Sequence, residues 1–163
     1  MKIVVSGASK GIGYEVAKQF ALLGHDVLAI ARNQEALSKL EMEEGHISVL
    51  ATDLNEESLT DDIAEISHGK DPIDVLINNA GQLINKSFLE TTTSEFAQQY
   101  ESNVLSIVNL SKACIPFMRQ NSHVVNITSM GGFQGSSKFA GLSAYSSSKG
   151  AVSILTECMA EEL

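Results

Sequence analysis

The chain has 163 residues, of which 20 are acidic and 11 are basic, so its formal net charge is −9. This length suits one compact domain, and a content of 44% hydrophobic and 19% charged residues excludes a disordered chain. The acidic balance argues against a nucleic-acid binder, which would present a basic face.

Short apolar runs alternate with longer amphipathic segments along the chain. The runs predict strands at about 3–5, 27–31, 47–50, 75–77 and 123–128. The segments between them predict helices at about 12–23, 34–44, 56–67, 94–118 and from 144 onward, and Pro116 marks a kink or the last turn of the fourth helix. Strands that are apolar on both faces and separated by helices indicate a doubly wound, Rossmann-type parallel sheet.

No stretch approaches the ~18 consecutive apolar residues of a membrane span. The apolar run at the amino terminus is too short for a signal peptide, so we expect a cytoplasmic protein. The spacing of Cys114 and Cys158 fits neither a metal site nor a disulfide framework, and the histidines are scattered singly, so we predict no metal site. We expect one domain over 1–163 that is truncated within or just after its last helix, without its C-terminal strands.

A glycine turn, Ser6-Gly7-Ala8-Ser9-Lys10-Gly11-Ile12-Gly13, lies between the first strand and the first helix. Its glycines would let backbone N–H groups and the helix N-terminus face a pyrophosphate without obstruction by Cβ atoms. The spacing differs from the commoner Gly-x-Gly-x-x-Gly. Its place at the first strand of an α/β pattern nevertheless favours nucleotide binding.

The end of the second strand points to the kind of nucleotide. It reads Ile30-Ala31-Arg32-Asn33 and lacks the acid that would bind the ribose 2′-OH of NAD. Arg32 would instead meet a 2′-phosphate, and Lys10 adds a second positive charge, which favours NADP(H) over NAD(H). A solvated loop position is the alternative for Arg32. Asp53 suits either the adenine edge or a helix cap.

Tyr145 and Lys149 are four residues apart, so they share one face of a helix. An ammonium beside a phenol favours the phenolate, which suits a tyrosine that exchanges protons with a carbonyl or alcohol oxygen. Ser129 can hydrogen-bond the same oxygen, and we take its neighbour Thr128 as the last residue of the fifth strand. The Tyr–Lys pair alone could equally be an ordinary amphipathic face.

The glycine turn, Asn78-Asn79-Ala80-Gly81 and Tyr145-Ser146-Ser147-Ser148-Lys149 resemble, in this order, the motifs of the short-chain dehydrogenase/reductase family. The resemblance runs from residue 3 to 163. It implies an oxidoreductase that moves a hydride between nicotinamide and a small-molecule carbonyl or alcohol substrate.

The resemblance also assigns roles. Ser129 would stabilise the substrate, and Tyr145 would act as general acid/base. Lys149 would also bind the nicotinamide ribose, and Asn103 would hold a relay water. We expect the cofactor to contact Gly7, Ser9, Lys10, Gly11, Ile12, Gly13, Arg32, Asn33, Asp53, Leu54, Asn79, Ala80, Gly81, Tyr145 and Lys149. Asn79 would also close the end of the sheet.

Two features leave alternatives open. The loop 130–143 is longer than is common in the family, and its Phe133, Gln134 and Phe139 either line a substrate pocket or pack locally. The helix after Tyr145 is apolar on more than one face, which predicts a homodimer or homotetramer unless a further segment covers it. The alternative function is that of an NADP-binding regulator or truncated pseudoenzyme without turnover.

Overall fold

The computed structural model describes residues 1–43, 45–68 and 71–163. The strands are β1 (Lys2–Ser6), β2 (Asp26–Ala31), β3 (Ile47–Ala51), β4 (Ile73–Asn78) and β5 (Met118–Asn126). The helices are α1 (Gly11–Leu22), α2 (Gln34–Glu43), α3 (Leu59–Ser67), α4 (Thr93–Tyr100), α5 (Ser106–Cys114) and α6 (Ser143–Glu162). Packing divides the chain into two compact units, a first unit of residues 1–80 and 107–125 and a second unit of residues 81–106 and 126–163.

The sheet has the strand order β3-β2-β1-β4-β5, with β1 in the centre. Strand β1 pairs in parallel with both β2 and β4, so that Val4 lies opposite Leu28 and Leu76. These three side chains are buried in a core that also includes Ile63 of α3 and Leu110 of α5. The predicted doubly wound parallel sheet is therefore confirmed.

One predicted helix start differs from the structure, and one predicted helix end lies outside the described residues. Helix α3 begins at Leu59 and not at residue 56, because Asp53 builds a turn there. Its carboxylate accepts a hydrogen bond from Asn55 N at 3.0 Å, and its carbonyl accepts one from Glu56 N at 3.1 Å. The predicted last residue of the second helix, 44, lies outside the described residues.

The predicted helix 94–118 is interrupted. A π-helical turn, Glu101–Leu105, separates α4 from α5, and a 3₁₀ turn, Ile115–Phe117, follows α5. Pro116 lies in that final turn, so it marks the last turn of the predicted helix and not a kink within it. The apolar periodicity of this segment predicts one continuous helix, because the single extra residue of a π turn disturbs the pattern too little to mark a boundary.

Strand β5 begins at Met118, five residues earlier than predicted, and ends at Asn126, so Thr128 is not a strand residue. The early start was missed because residues 119–122 are polar. In the structure the Arg119 guanidinium pairs with the Asp74 carboxylate, and the Ser122 hydroxyl donates to the Ile73 carbonyl at 2.8 Å. Residues 119–122 are therefore held beside β4 by side-chain bonds and not by apolar packing, so no apolar run in the sequence marks them.

The turn after β1 packs directly against the residues that follow β4. The Asn79 side-chain amide donates to the Ser6 and Gly7 carbonyls at 3.1 and 3.4 Å. The Ser6 hydroxyl in turn accepts hydrogen bonds from the backbone N–H groups of Asn79 and Ala80 at 3.1 Å. A Cβ atom on Gly13 would lie 2.4 Å from Asn79 Nδ2 and 2.5 Å from the Gly7 oxygen, so only glycine fits here.

We expect Gly13→Ala to lower the free energy of unfolding by about 1–3 kcal/mol, the usual cost of overpacking. Gly45→Ala is the matched control, because its Cβ would meet no described atom within 4 Å. Denaturant unfolding of both variants checks this. An equal effect of the two substitutions would contradict the close approach.

Candidate active site

The glycine turn of the first unit forms a cradle at the carboxyl end of β1. Gly11 has φ +59°, and a Cβ there would meet no described atom within 4 Å. Helix α1 has no acidic residue in its first turn, and its N-cap residue Lys10 makes no side-chain capping bond. The N–H groups of that turn are therefore available to an anion. This arrangement fits the pyrophosphate of a dinucleotide.

Basic and acidic side chains flank the cradle. The Arg32 side chain is 75% exposed, and its Nη1 lies 3.7 Å from Asp53 Oδ2. Lys10 is also exposed. Asp53 is not the N-cap of α3, a position that Ser58 occupies. The exposed guanidinium is therefore partnered by a carboxylate and still accessible to a phosphate.

The remaining predicted cofactor residues of the first unit differ in which of their groups are accessible to a ligand. Asn33 accepts a hydrogen bond from Ala36 N at 3.0 Å, so its side chain serves the start of α2. The Leu54 side chain is buried in the core, and its carbonyl accepts a hydrogen bond from Asn109 Nδ2 at 3.2 Å, so neither group is free for a ligand. Ile12 is 64% exposed in the first turn of α1, and Ser9 is half-buried.

In the second unit Lys149 lies on α6 and is only 4% exposed. Its Nζ donates to the Ile127 carbonyl at 2.7 Å, and burial lowers the pKa of this ammonium. The Thr128 hydroxyl donates to the Lys149 carbonyl at 2.8 Å. Two hydrogen bonds thus join the segment after β5 to α6 at the position of the lysine.

Asn103 lies in the π turn and is fully buried. Its Oδ1 accepts from Gln82 N at 2.7 Å, and its Nδ2 donates to the Gln82 carbonyl at 3.0 Å and to the Ser148 hydroxyl at 2.9 Å. A Cβ on Gly81 would lie 3.0 Å from Asn103 Oδ1 and 3.5 Å from Lys149 Nζ. Asn103 and Lys149 thus flank one glycine, and both amide protons of Asn103 are used within the protein.

Ser129 and Tyr145 lie on the same two segments of the second unit. The half-buried Ser129 accepts a hydrogen bond from Gly131 N at 3.2 Å, which leaves its own proton to be donated. A Cβ on Gly132 would lie 2.6 Å from Gly150 N, so the loop after Ser129 packs on the α6 backbone. Tyr145 is half-buried, and its hydroxyl makes no hydrogen bond within the described residues.

A cavity of about 1060 Å³ opens in the second unit beside this loop. Phe133, Gln134 and Phe139 line it, which agrees with the pocket alternative for the long loop. Ser146, Gly150 and Ile154 contribute one face of α6 to the wall. Ser129, Tyr145 and Lys149 are not among the residues that line it, so the cavity does not contain the candidate catalytic side chains.

Several residues that build the site were assigned no role from the sequence. Gln82 and Ser148 bond to Asn103, and Gln99 bonds to the Gln82 carbonyl. Gly132 lets the loop after Ser129 approach α6. Gln99 had one sequence signal, since it precedes Asn103 by four residues, one helical turn. The others depend on contacts between distant parts of the chain.

Among the described residues no helix is long and apolar enough to cross a membrane. The same residues contain no group of three or more His, Cys, Asp or Glu side chains suited to a metal ion.

Comparisons with known proteins place the chain in a family. The family model described as short chain dehydrogenase matches residues 1–163. Carbonyl reductase [NADPH] 2 of Sus scrofa is 32% identical, over 100% of this chain and 66% of that protein. A short-chain dehydrogenase structure from Streptomyces avermitilis is 34% identical, with a TM-score of 0.90 over 99% of this chain and 60% of the other.

A short-chain dehydrogenase of Escherichia coli CFT073, solved in complex with NADPH, is 27% identical, with a TM-score of 0.88 over 99% of this chain and 70% of the other. The chain spans about half to two thirds of the length of the curated relatives it matches. The chain belongs to the short-chain dehydrogenase family.

Proposed function

We propose that this chain belongs to an NADP(H)-dependent oxidoreductase that interconverts a carbonyl and an alcohol. The observation that carries the proposal is the buried Lys149 ammonium on α6, which lies four residues after Tyr145 and flanks Gly81 together with Asn103. A buried cation on this helix is the electrostatic partner that a proton-exchanging phenol requires. A nucleotide-binding regulator would not need it.

The proposed reaction uses three residues of the second unit, Tyr145, Ser129 and Lys149. The bound nicotinamide supplies or takes up the hydride. Tyr145 gives its proton to the substrate oxygen during reduction and takes it back during oxidation, while Ser129 donates a hydrogen bond to the same oxygen. The Lys149 ammonium stabilises the phenolate that remains after proton transfer.

The cradle of the first unit supports the choice of cofactor. We assign the pyrophosphate to the glycine turn and the 2′-phosphate to Arg32 and Lys10, whose charges suit a phosphate better than a hydroxyl. Both the pig reductase and the E. coli structure carry NADPH in their names. Neither cation lies in the protein core, so both can reach a ligand.

We expect Arg32→Ala to weaken NADPH binding by about tenfold to a hundredfold, the value of a charge-assisted hydrogen bond. NADH binding should change little, because NADH lacks the 2′-phosphate. Lys39→Ala is the charge-matched control, since Lys39 pairs with Glu35 on α2 at 2.9 Å. Fluorescence titration with both cofactors checks this, and equal losses for NADPH and NADH would refute the role of Arg32.

We expect Tyr145→Phe to abolish carbonyl reduction while NADPH affinity stays close to that of the wild type, because the variant loses only the transferable proton. Tyr100→Phe, on the partly exposed tyrosine of α4, should retain turnover. Steady-state kinetics and NADPH titration separate the two effects. Tight NADPH binding without turnover of any carbonyl or alcohol by the wild type would favour the regulator or pseudoenzyme.

We also propose that copies of the chain pair into a homodimer or homotetramer. Ile154 on α6 is 60% exposed, Cys158 is exposed one turn further on, and Leu155 and Met159 are only half-buried. An apolar face of this kind is typical of a subunit contact. Light scattering of the purified chain checks the proposal, and a monomeric mass would refute it.

A further inference from the structure

Three side chains spaced four residues apart, Glu95, Gln99 and Asn103, hold the segment 82–92 of the second unit. The Glu95 carboxylate accepts hydrogen bonds from Thr92 N at 2.7 Å and from Lys86 Nζ at 2.9 Å. The Thr92 backbone bond and the Lys86 ammonium together lower the pKa of Glu95 to about 2. The far end of the segment is thereby fixed to the start of α4.

Gln99 holds the near end. Its side chain is fully buried. Its Oε1 accepts from Ile84 N at 2.8 Å, and its Nε2 donates to the Gln82 carbonyl. Burial of an amide lowers the free energy of unfolding unless the amide is hydrogen-bonded. The Gln99 amide forms both of its hydrogen bonds with the backbone of a single loop.

The Gln82 carbonyl is shared between two amides. It accepts from Gln99 Nε2 and also from Asn103 Nδ2. Because Asn103 also binds the Gln82 N–H, the peptide groups of Gln82 determine how the Asn103 amide is oriented. A shift of Gln82 would therefore move Asn103 and the adjoining Gly81, and the space beside Gly81 is bordered by both Asn103 Oδ1 and Lys149 Nζ.

We propose that Gln99 is a positioning residue, which holds Asn103 and the Gly81–Ile84 backbone against Lys149 through the shared Gln82 carbonyl. Its effect on turnover rests on the proposed oxidoreductase function. Its effect on the loop does not. Gln99 itself touches no reacting atom and acts only through this carbonyl.

Gln99→Glu turns this linkage into a pH-dependent one. A protonated glutamic acid can still donate to the Gln82 carbonyl and accept from Ile84 N, as glutamine does. The carboxylate has no proton to donate and would face the Gln82 oxygen. Burial raises the pKa of such a carboxyl, so ionisation should occur between about pH 6 and about pH 9.

The first measurement needs no turnover. Backbone amide NMR of the full chain should show the Gln82 and Ile84 resonances of Gln99→Glu titrating together with pH. The same two resonances of the wild type should not change over this pH range. Gln98→Glu is the matched control, because Gln98 is exposed and one residue away. A pH-dependent change of the Ile84 resonance without one of the Gln82 resonance would overturn the linkage. So would the absence of any such change in the folded variant.

The second measurement is the pH dependence of turnover. We expect kcat of Gln99→Glu to fall by about tenfold to a hundredfold relative to wild type as the carboxyl ionises, with little change in KM, because misplaced catalytic groups lose rate before binding. Gln98→Glu should follow the wild type. Parallel profiles for all three proteins would overturn the catalytic part of the inference.

Two further results keep the inferences separate. An inactive wild type would count against the proposed function, and the NMR titration would still decide the linkage. If Gln99→Glu does not fold, Gln99→Met removes both hydrogen bonds without adding charge. Faster amide hydrogen exchange at Gln82 in that variant than in Gln98→Met would support the linkage, and equal exchange would overturn it.

Discussion

The central position of β1 is the constraint on which the first unit depends. Because β1 pairs in parallel with β2 and β4, the turns that leave all three strands emerge at the same edge of the sheet. The glycine turn after β1 therefore meets Asn79 after β4, and the backbone of Ala8 bonds to the Ile30 carbonyl at the end of β2. The close contact with Asn79 requires glycine at position 13, so the cradle cannot form without this strand order.

The second unit is built differently. Its described contacts include several buried polar groups: Gln99, Asn103 and Ser148 are fully buried, and Lys149 is only 4% exposed. Each of these side chains forms at least one hydrogen bond within the unit, which offsets the cost of burying it. Hydrogen bonds are directional, so such a network specifies orientation more narrowly than apolar packing does. That precision would suit the roles proposed above for Tyr145 and Lys149.

Some elements could be predicted from local pattern because a local cause forms them. The strands β1 to β4 are short apolar runs, and Pro116 ends its helix by lacking an N–H donor. The start of β5 could not be predicted, since Arg119 and Ser122 look like loop residues until Asp74 and Ile73 of β4 are beside them. The contact of Asn103, in the π turn, with Gln82 could not be predicted for the same reason, because the two residues are 21 positions apart.

The order of the motifs, the cationic character of residue 32 and the shared face of Tyr145 and Lys149 were determined by the sequence alone, because composition and helical spacing act over a few residues. Tertiary structure decided that Arg32 pairs with Asp53, that Asn103 and Lys149 flank Gly81, and that Gln99 reaches the Gln82 carbonyl. These partners are separated by 17 to 68 residues along the chain. Contacts over such distances exist only once packing has brought the elements together, and no periodicity in the sequence encodes which atoms will then meet.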